Sequence, residues 1–155
     1  MRLTRIFGFI FMLIGLLLSF AISQANSGFA PIEIRLVSQV SSGGPALLVE
    51  GSGQTLEVES QALLGPSDFV SVGQVEWVEG KPGFNVTLSP AGAEKYEKIS
   101  TENVGRVLAI IVDGRILMTP KILDPVRAQG FLLTSNTEIE AKELAAKVRR
   151  VVSPN

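Results

Sequence analysis

The sequence predicts an α+β fold: a mixed, mostly antiparallel sheet with two main helices packed on one face. Three observations predict it. Ile32–Leu36, Thr55–Glu59 and Phe84–Leu88 alternate apolar and polar residues with the period of a strand. Two later segments, entered at Ser89 and Thr137, carry apolar residues at helical spacing behind good caps. Short turn-rich links, above all Asp113-Gly114, join neighbouring strands in the manner of antiparallel hairpins.

The first 25 residues read as a leader. Arg2 and Arg5 precede an uncharged apolar run from Ile6 to Phe20, and Ala21-Ile22-Ser23-Gln24-Ala25 supplies small residues at the alternate positions a signal peptidase reads. Cleavage after Ser23 or Ala25 is one expectation. The other is an uncleaved membrane anchor, since the run counted through Ile22 reaches about 17 residues, the short edge of a bilayer span. Either places the remainder outside the cytoplasm, in the periplasm for a bacterial chain. The organisation expected is therefore 1–25 signal peptide or anchor, 26–54 linker and N-terminal strands, and 55–152 the main folded domain.

Composition removes whole classes of chemistry. The chain has neither histidine nor cysteine, which excludes thiol nucleophiles, Ser-His-Asp relays and zinc sites built from Cys or His. With 14 Lys+Arg against 15 Asp+Glu and no basic block interleaved with aromatics, the footprint of a nucleic-acid binder is missing.

From Asn26 to Pro31 a short linker leads into Ile32, Ile34 and Leu36, which alternate with Glu33 and Arg35 as in a half-buried strand. Ser41–Pro45 breaks it, Ala46–Val49 forms a second short strand, and Gly51-Ser52-Gly53 turns the chain into Thr55–Glu59. That turn lacks the third glycine and the Lys-Ser/Thr of a phosphate loop. Pro66–Val70 reads as a helical turn leading into Val75–Val78, and Glu79–Gly83 as a loop before the strand of Phe84, Val86 and Leu88. The Asn85-Val86-Thr87 sequon falls mid-strand, poorly placed for a glycan.

Ser89 caps a helix with Pro90 at its first position; Ala93, Tyr96 and Ile99 make its apolar stripe, Glu94 and Lys98 a supporting pair, and Asn103–Gly105 its end. Tyr96 on such a stripe reads as core. Val107–Val112 is apolar without alternation, which means a central strand covered on both faces. Asp113-Gly114 then needs positive φ at both positions, and Ile116–Thr119 returns antiparallel. Pro120 cannot donate to the ladder, so it marks a bulge or the point where the returning strand leaves the sheet. After a crossover, Phe131-Leu132-Leu133 is the last strand. Thr137 and Glu140 form a capping box; Ala141, Leu144, Ala145, Val148 and Val151 make one stripe, with Glu138–Lys142 and Glu143–Lys147 on the solvated side. Lys147, Arg149 and Arg150 complement the helix C-terminus.

This order of motifs resembles the head subdomain of the first periplasmic domain of the SecD/SecDF family, which serves bacterial protein export. Carrying the resemblance are Asp68 with its short helix, Val86–Ala93 entering the first long helix, Thr101–Gly105 closing it, Leu108–Pro120, Gly130, and Thr137-x-x-Glu140-Ala141-x-x-Leu144-Ala145. It covers about Leu56 to Val151. A Ser135-Asn136 pair stands where the family often has a glycine before the final helix. SecD itself adds a base subdomain and a transmembrane bundle, so the expectation is a free-standing exported copy without that motor.

The resemblance implies a non-enzymatic module, without cofactor, that contacts a protein partner: translocating or unfolded polypeptide, or a component of the Sec translocon. No nucleic acid is expected, and membrane only through an uncleaved N-terminal segment. The residues expected to meet a partner are Met118, Pro120, Lys121 and Ile122, at a sheet edge after the Asp-Gly hairpin; the adaptable Met118 side chain suits promiscuous contact. Against this stands the simpler reading of Met118 and Ile122 as core. Asp113, Gly114, Thr137 and Glu140 are structural. Rival readings are an envelope structural or inhibitory protein of the same architecture, and a hydrolase using Glu76 and Glu79, whose spacing on a strand sets them on opposite faces.

Overall fold

The computed structural model describes residues 28–41 and 43–152, so the leader-or-anchor expectation lies outside the described residues. Nine strands and two helices follow: β1 (Ile32–Leu36), β2 (Ala46–Leu48), β3 (Thr55–Glu57), β4 (Phe69–Val72), β5 (Glu76–Val78), β6 (Lys81–Leu88), α1 (Pro90–Glu102), β7 (Leu108–Val112), β8 (Arg115–Met118), β9 (Gly130–Thr134) and α2 (Glu138–Val152). All named strand pairs are antiparallel, and a parallel bridge from Val49 to Ile116 adds the mixed sense. The architecture is α+β, as the sequence predicts.

Its strands divide into three ladders. β7 sits between β1 and β8, β2 pairs with β3, and β6 carries β4 and β5 in turn on one edge and β9 on the other. The reason is visible in β7, buried along its whole length. Leu108, Ile110 and Val112 enter the main core with Ile32, Ile34, Leu36, Phe84, Val86 and Leu88. Ala109 and Ile111 enter a second core with Leu47, Val58 and Ile116. An unbroken apolar run thus serves two cores, each side chain alternating between them.

β1 departs from its half-buried pattern. All five residues are buried, Glu33 and Arg35 included, because the chain near Glu59–Leu64 closes over this edge: Ile34 N donates to Leu64 O (3.0 Å) and Glu59 N to Leu36 O (2.9 Å). The two charges answer each other there.

The loop expected over Glu79–Gly83 is shorter. Glu79 and Gly80 both have positive φ (51° and 80°), the two-residue hairpin geometry, and Lys81 already belongs to β6. Ser89 caps α1, its Oγ accepting from Gly92 N at 2.9 Å. The expected Glu94–Lys98 support is replaced by Lys98–Glu102 at 3.8 Å, and Lys95 instead reaches Asp68 (2.6 Å), whose other carboxylate oxygen accepts from Gly65 N (2.9 Å). This carboxylate ties the 66–68 turn to α1.

In α2, Thr137 Oγ1 accepts from Glu140 N (3.2 Å), while the Glu140 carboxylate accepts from Asn136 N (3.3 Å), one residue ahead of the cap. Glu138–Lys142 forms as expected at 2.6 Å. Lys147 turns away from Glu143 to pair with Asp113. The stripe ends on Val152, which is buried, and not on Val151, which is exposed.

Asp113 (φ 52°) and Gly114 (φ 73°) adopt the left-handed conformations their turn requires. Gly114→Val is expected to destabilise the fold by about 1–3 kcal/mol, since a β-branched residue is strained there. Gly114→Asn, which tolerates this region, should lose much less in a denaturant titration.

Candidate functional site

The expected partner-binding segment starts from the Asp113-Gly114 turn. Arg115 pairs with Val112 and Ile116 with Ile111, after which the register shifts and Met118 pairs with Ile110. The bulge therefore falls at Leu117, ahead of Pro120. Pairing then continues past the proline: Leu108 N donates to Pro120 O (2.9 Å), Ile122 N to Arg106 O (2.9 Å) and Gly105 N to Ile122 O (2.7 Å), and Lys121 bridges Val107. Pro120 removes one donor without releasing the chain.

Met118 is half-buried against the main core and Ile122 is buried within it. Pro120 is half-buried, while Thr119 and Lys121 are exposed. Since Pro120 and Ile122 direct their main-chain groups at Leu108 and at Arg106 and Gly105 just before β7, alternation directs those of Thr119 and Lys121 away from that strand. Among the described residues these groups find no main-chain partner. The segment offers the side chain of Lys121 and a short stretch of open main chain.

The hairpin tip is occupied by its own charges. Asp113 pairs with Lys147, and Arg115 lies 3.4 Å from Glu50. A cavity of about 150 Å³ there is lined by both pairs together with Glu140 and Glu143. At Gly51-Ser52-Gly53, Ser52 Oγ accepts from Gln54 N (3.1 Å) and donates to Val49 O (3.3 Å), so the turn binds itself. Glu76 lies on β5 and Glu79 in the turn after it, both exposed. Arg149 donates to the carbonyls of Val72 (3.5 Å) and Gly73 (2.8 Å), tying α2 to the end of β4. Tyr96 meets Phe131 edge-on, with centroids 4.9 Å apart, and burial raises its phenol above the ordinary value; it is a core residue.

Among the described residues no cluster of Asp and Glu could hold a metal ion. None of their helices is long and apolar enough to cross a membrane. The sequence reading missed two features: the buried Glu33–Arg35 pair and the outer edge of β9, which has no main-chain partner among the described residues. Neither carries a local signal, because both depend on what tertiary packing covers.

The segment after the hairpin thus presents an exposed lysine and open main chain, and the proteins this chain resembles are subunits of the protein translocase. The family model for the SecDF P1 head subdomain matches residues 41–150. The SecD subunit of the protein translocase of Thermobaculum terrenum is 37% identical over 70 residues, covering 45% of this chain and 14% of that protein. SecDF of Thermus thermophilus is 32% identical over 71 residues, covering 45% of this chain and 10% of that protein. SecD of Leptotrichia buccalis is 31% identical over 111 residues, 72% of this chain and 24% of that protein. The matched regions are thus a minor part of these relatives' length. A solved structure of SecDF, described as a membrane component that enhances protein export, superposes with a TM-score of 0.61 at 21% identity, covering 79% of this chain and 63% of that one. SecDF in a super-membrane-facing form gives 0.60 over 79% of this chain and 19% of that chain; both share the fold. By the match across residues 41–150, the chain belongs to the family of SecDF P1 head subdomains.

Proposed function

We propose that this chain is an extracytoplasmic, non-enzymatic module of protein export that contacts unfolded or translocating polypeptide. The reading takes residues 118–122 as one place where polypeptide touches the head. The observation that carries it is the outward main chain of Thr119 and Lys121 beside the half-buried Met118. Main-chain donors and acceptors recognise extended polypeptide whatever its sequence, and a thioether adapts to varied side chains. A module meeting many substrates needs both properties.

The test is capture of reduced, carboxymethylated lactalbumin, a chain that stays unfolded, by the full-length protein and two variants. Lys121→Glu should leave the melting temperature unchanged, because the side chain is exposed. It should also alter capture several-fold. Met118→Asp should lower both, since Met118 packs on the core. Unaltered capture by Lys121→Glu together with unfolding of Met118→Asp removes this segment as a contact. Absence of capture by the unmodified chain removes the polypeptide-handling reading itself.

A further inference from the structure

β9 is a sheet edge with one side used. Leu88 N donates to Gln129 O (2.8 Å) and Ser135 N to Pro82 O (2.9 Å), and the register between them is continuous from Gly83–Thr134 to Thr87–Gly130. In an antiparallel ladder bonded and non-bonded pairs alternate, so residues 129, 131, 133 and 135 address β6. Gly130, Leu132 and Thr134 direct their N–H and C=O groups the other way. β9 pairs with no other described strand, and these groups have no partner among the described residues. All three residues are partly exposed.

Several other edges are covered, though the outer side of β5 and the stretch at Thr119 and Lys121 stay open among the described residues. β1 is closed by Leu63, Leu64 and Glu59, β8 by Glu50 N bonding to Ile116 O (2.8 Å), and the end of β4 by the Arg149 guanidinium. β9 lies close to β8, yet among the described residues its outer groups receive no hydrogen bond of this kind. It also lacks the devices by which proteins keep an edge from pairing: Gly130-Phe131-Leu132-Leu133-Thr134 contains no charge and no proline, and its register has no bulge.

We propose that the outer edge of β9 takes up an extended segment of unfolded polypeptide by strand addition, with Gly130, Leu132 and Thr134 making the main-chain hydrogen bonds. This rests on the reading that the chain handles unfolded polypeptide, and it names a second place and a mode of contact. The free groups recur every second residue, about 6.8 Å apart, a spacing that another extended backbone matches and a helix does not. Two five-residue strands bury far less than the roughly 1,000 Å² a stable dimer needs; that favours a transient guest over a second copy. Recognition through main chain alone tolerates any guest sequence except proline at the bonding positions.

The experiment is amide hydrogen exchange on the full chain with and without carboxymethylated lactalbumin, joined to capture by two variants. The guest should slow exchange at Gly130, Leu132 and Thr134 by about tenfold or more, with little change at Phe131 and Leu133, which β6 already protects. Leu132→Pro removes an outward N–H and leaves the β6 ladder its donors, so capture should fall about tenfold with the melting temperature retained. Should that variant misfold, Thr134→Lys decides, placing a charge at the edge. Slower exchange at the three amides with weakened capture by a folded edge variant supports the proposal. Full capture by a folded edge variant overturns it while leaving the polypeptide reading intact. No capture by the unmodified chain overturns both. Protection that grows with protein concentration in the absence of guest also overturns it, naming a second copy as the occupant.

Discussion

Replacing Glu33 by alanine is expected to destabilise the folded chain by about 3–5 kcal/mol, whereas replacing Glu33 and Arg35 together by leucine and methionine should cost far less. Glu33 and Arg35 are only 3% and 8% exposed. The Arg35 guanidinium donates twice to the Glu33 carboxylate (2.8 and 3.3 Å), once to Glu59 O (3.1 Å) and once to Ser60 O, and it lies 5.0 Å from the centre of the Phe29 ring. With Glu33 gone, the cation stays buried with carbonyls and a ring but no countercharge. Desolvation is then uncompensated, which is why breaking a buried pair costs more than removing it. Chemical denaturation of the single and double variants decides. Equal, small losses would mean that water reaches the pair and that residues 59–64 do not close this edge.

That pair also marks where sequence reasoning reaches its limit. Alternation correctly placed Ile32, Ile34 and Leu36 inward, but Glu33 and Arg35 carry the same pattern a solvated face would. What buries them is a segment more than twenty residues away, and no local periodicity announces it. Patterns that depend on a single element read well: the Asp113-Gly114 turn, the Ser89 cap, the α2 stripe as far as Val148. Ion pairs on the helices read less well, since Lys147 found a tertiary partner in Asp113 in place of Glu143, and Lys98 pairs with Glu102 in place of Glu94.

The candidate site shows the same division. The open main chain at Thr119 and Lys121 depends on the extra residue at Leu117, because one inserted residue reverses which groups face outward. Pro120 signalled an irregularity there, but its location and phase follow from pairing with β7. The outer edge of β9 was still less legible, since an edge is defined by the absence of a bonded neighbour, here among the described residues, and no local pattern announces that.

Ile110→Ala and Ile111→Ala are each expected to cost about 2–5 kcal/mol, although the two side chains point to opposite faces of β7. A strand with one wet face would show one severe and one mild substitution. Here Ile110 belongs to the main core, with Ile34, Val86 and Val148 among its members, and Ile111 to the second, with Leu47, Val58 and Ile116; both are essentially inaccessible to solvent. Each truncation removes buried methyl groups and leaves a void whose lining cannot fully collapse, because strands on both sides hold β7 in place. The walls of the two voids are different residues, so the double variant should lose close to the sum of the single losses. Denaturant midpoints of the three variants, taken with their slopes, make the test. A near-neutral Ile111→Ala would mean that β2 and β3 do not cover that face in solution. The hairpin carrying Asp113 and Gly114 would then rest on one core, and the segment after it would lack the support that holds Thr119 and Lys121 in their outward register.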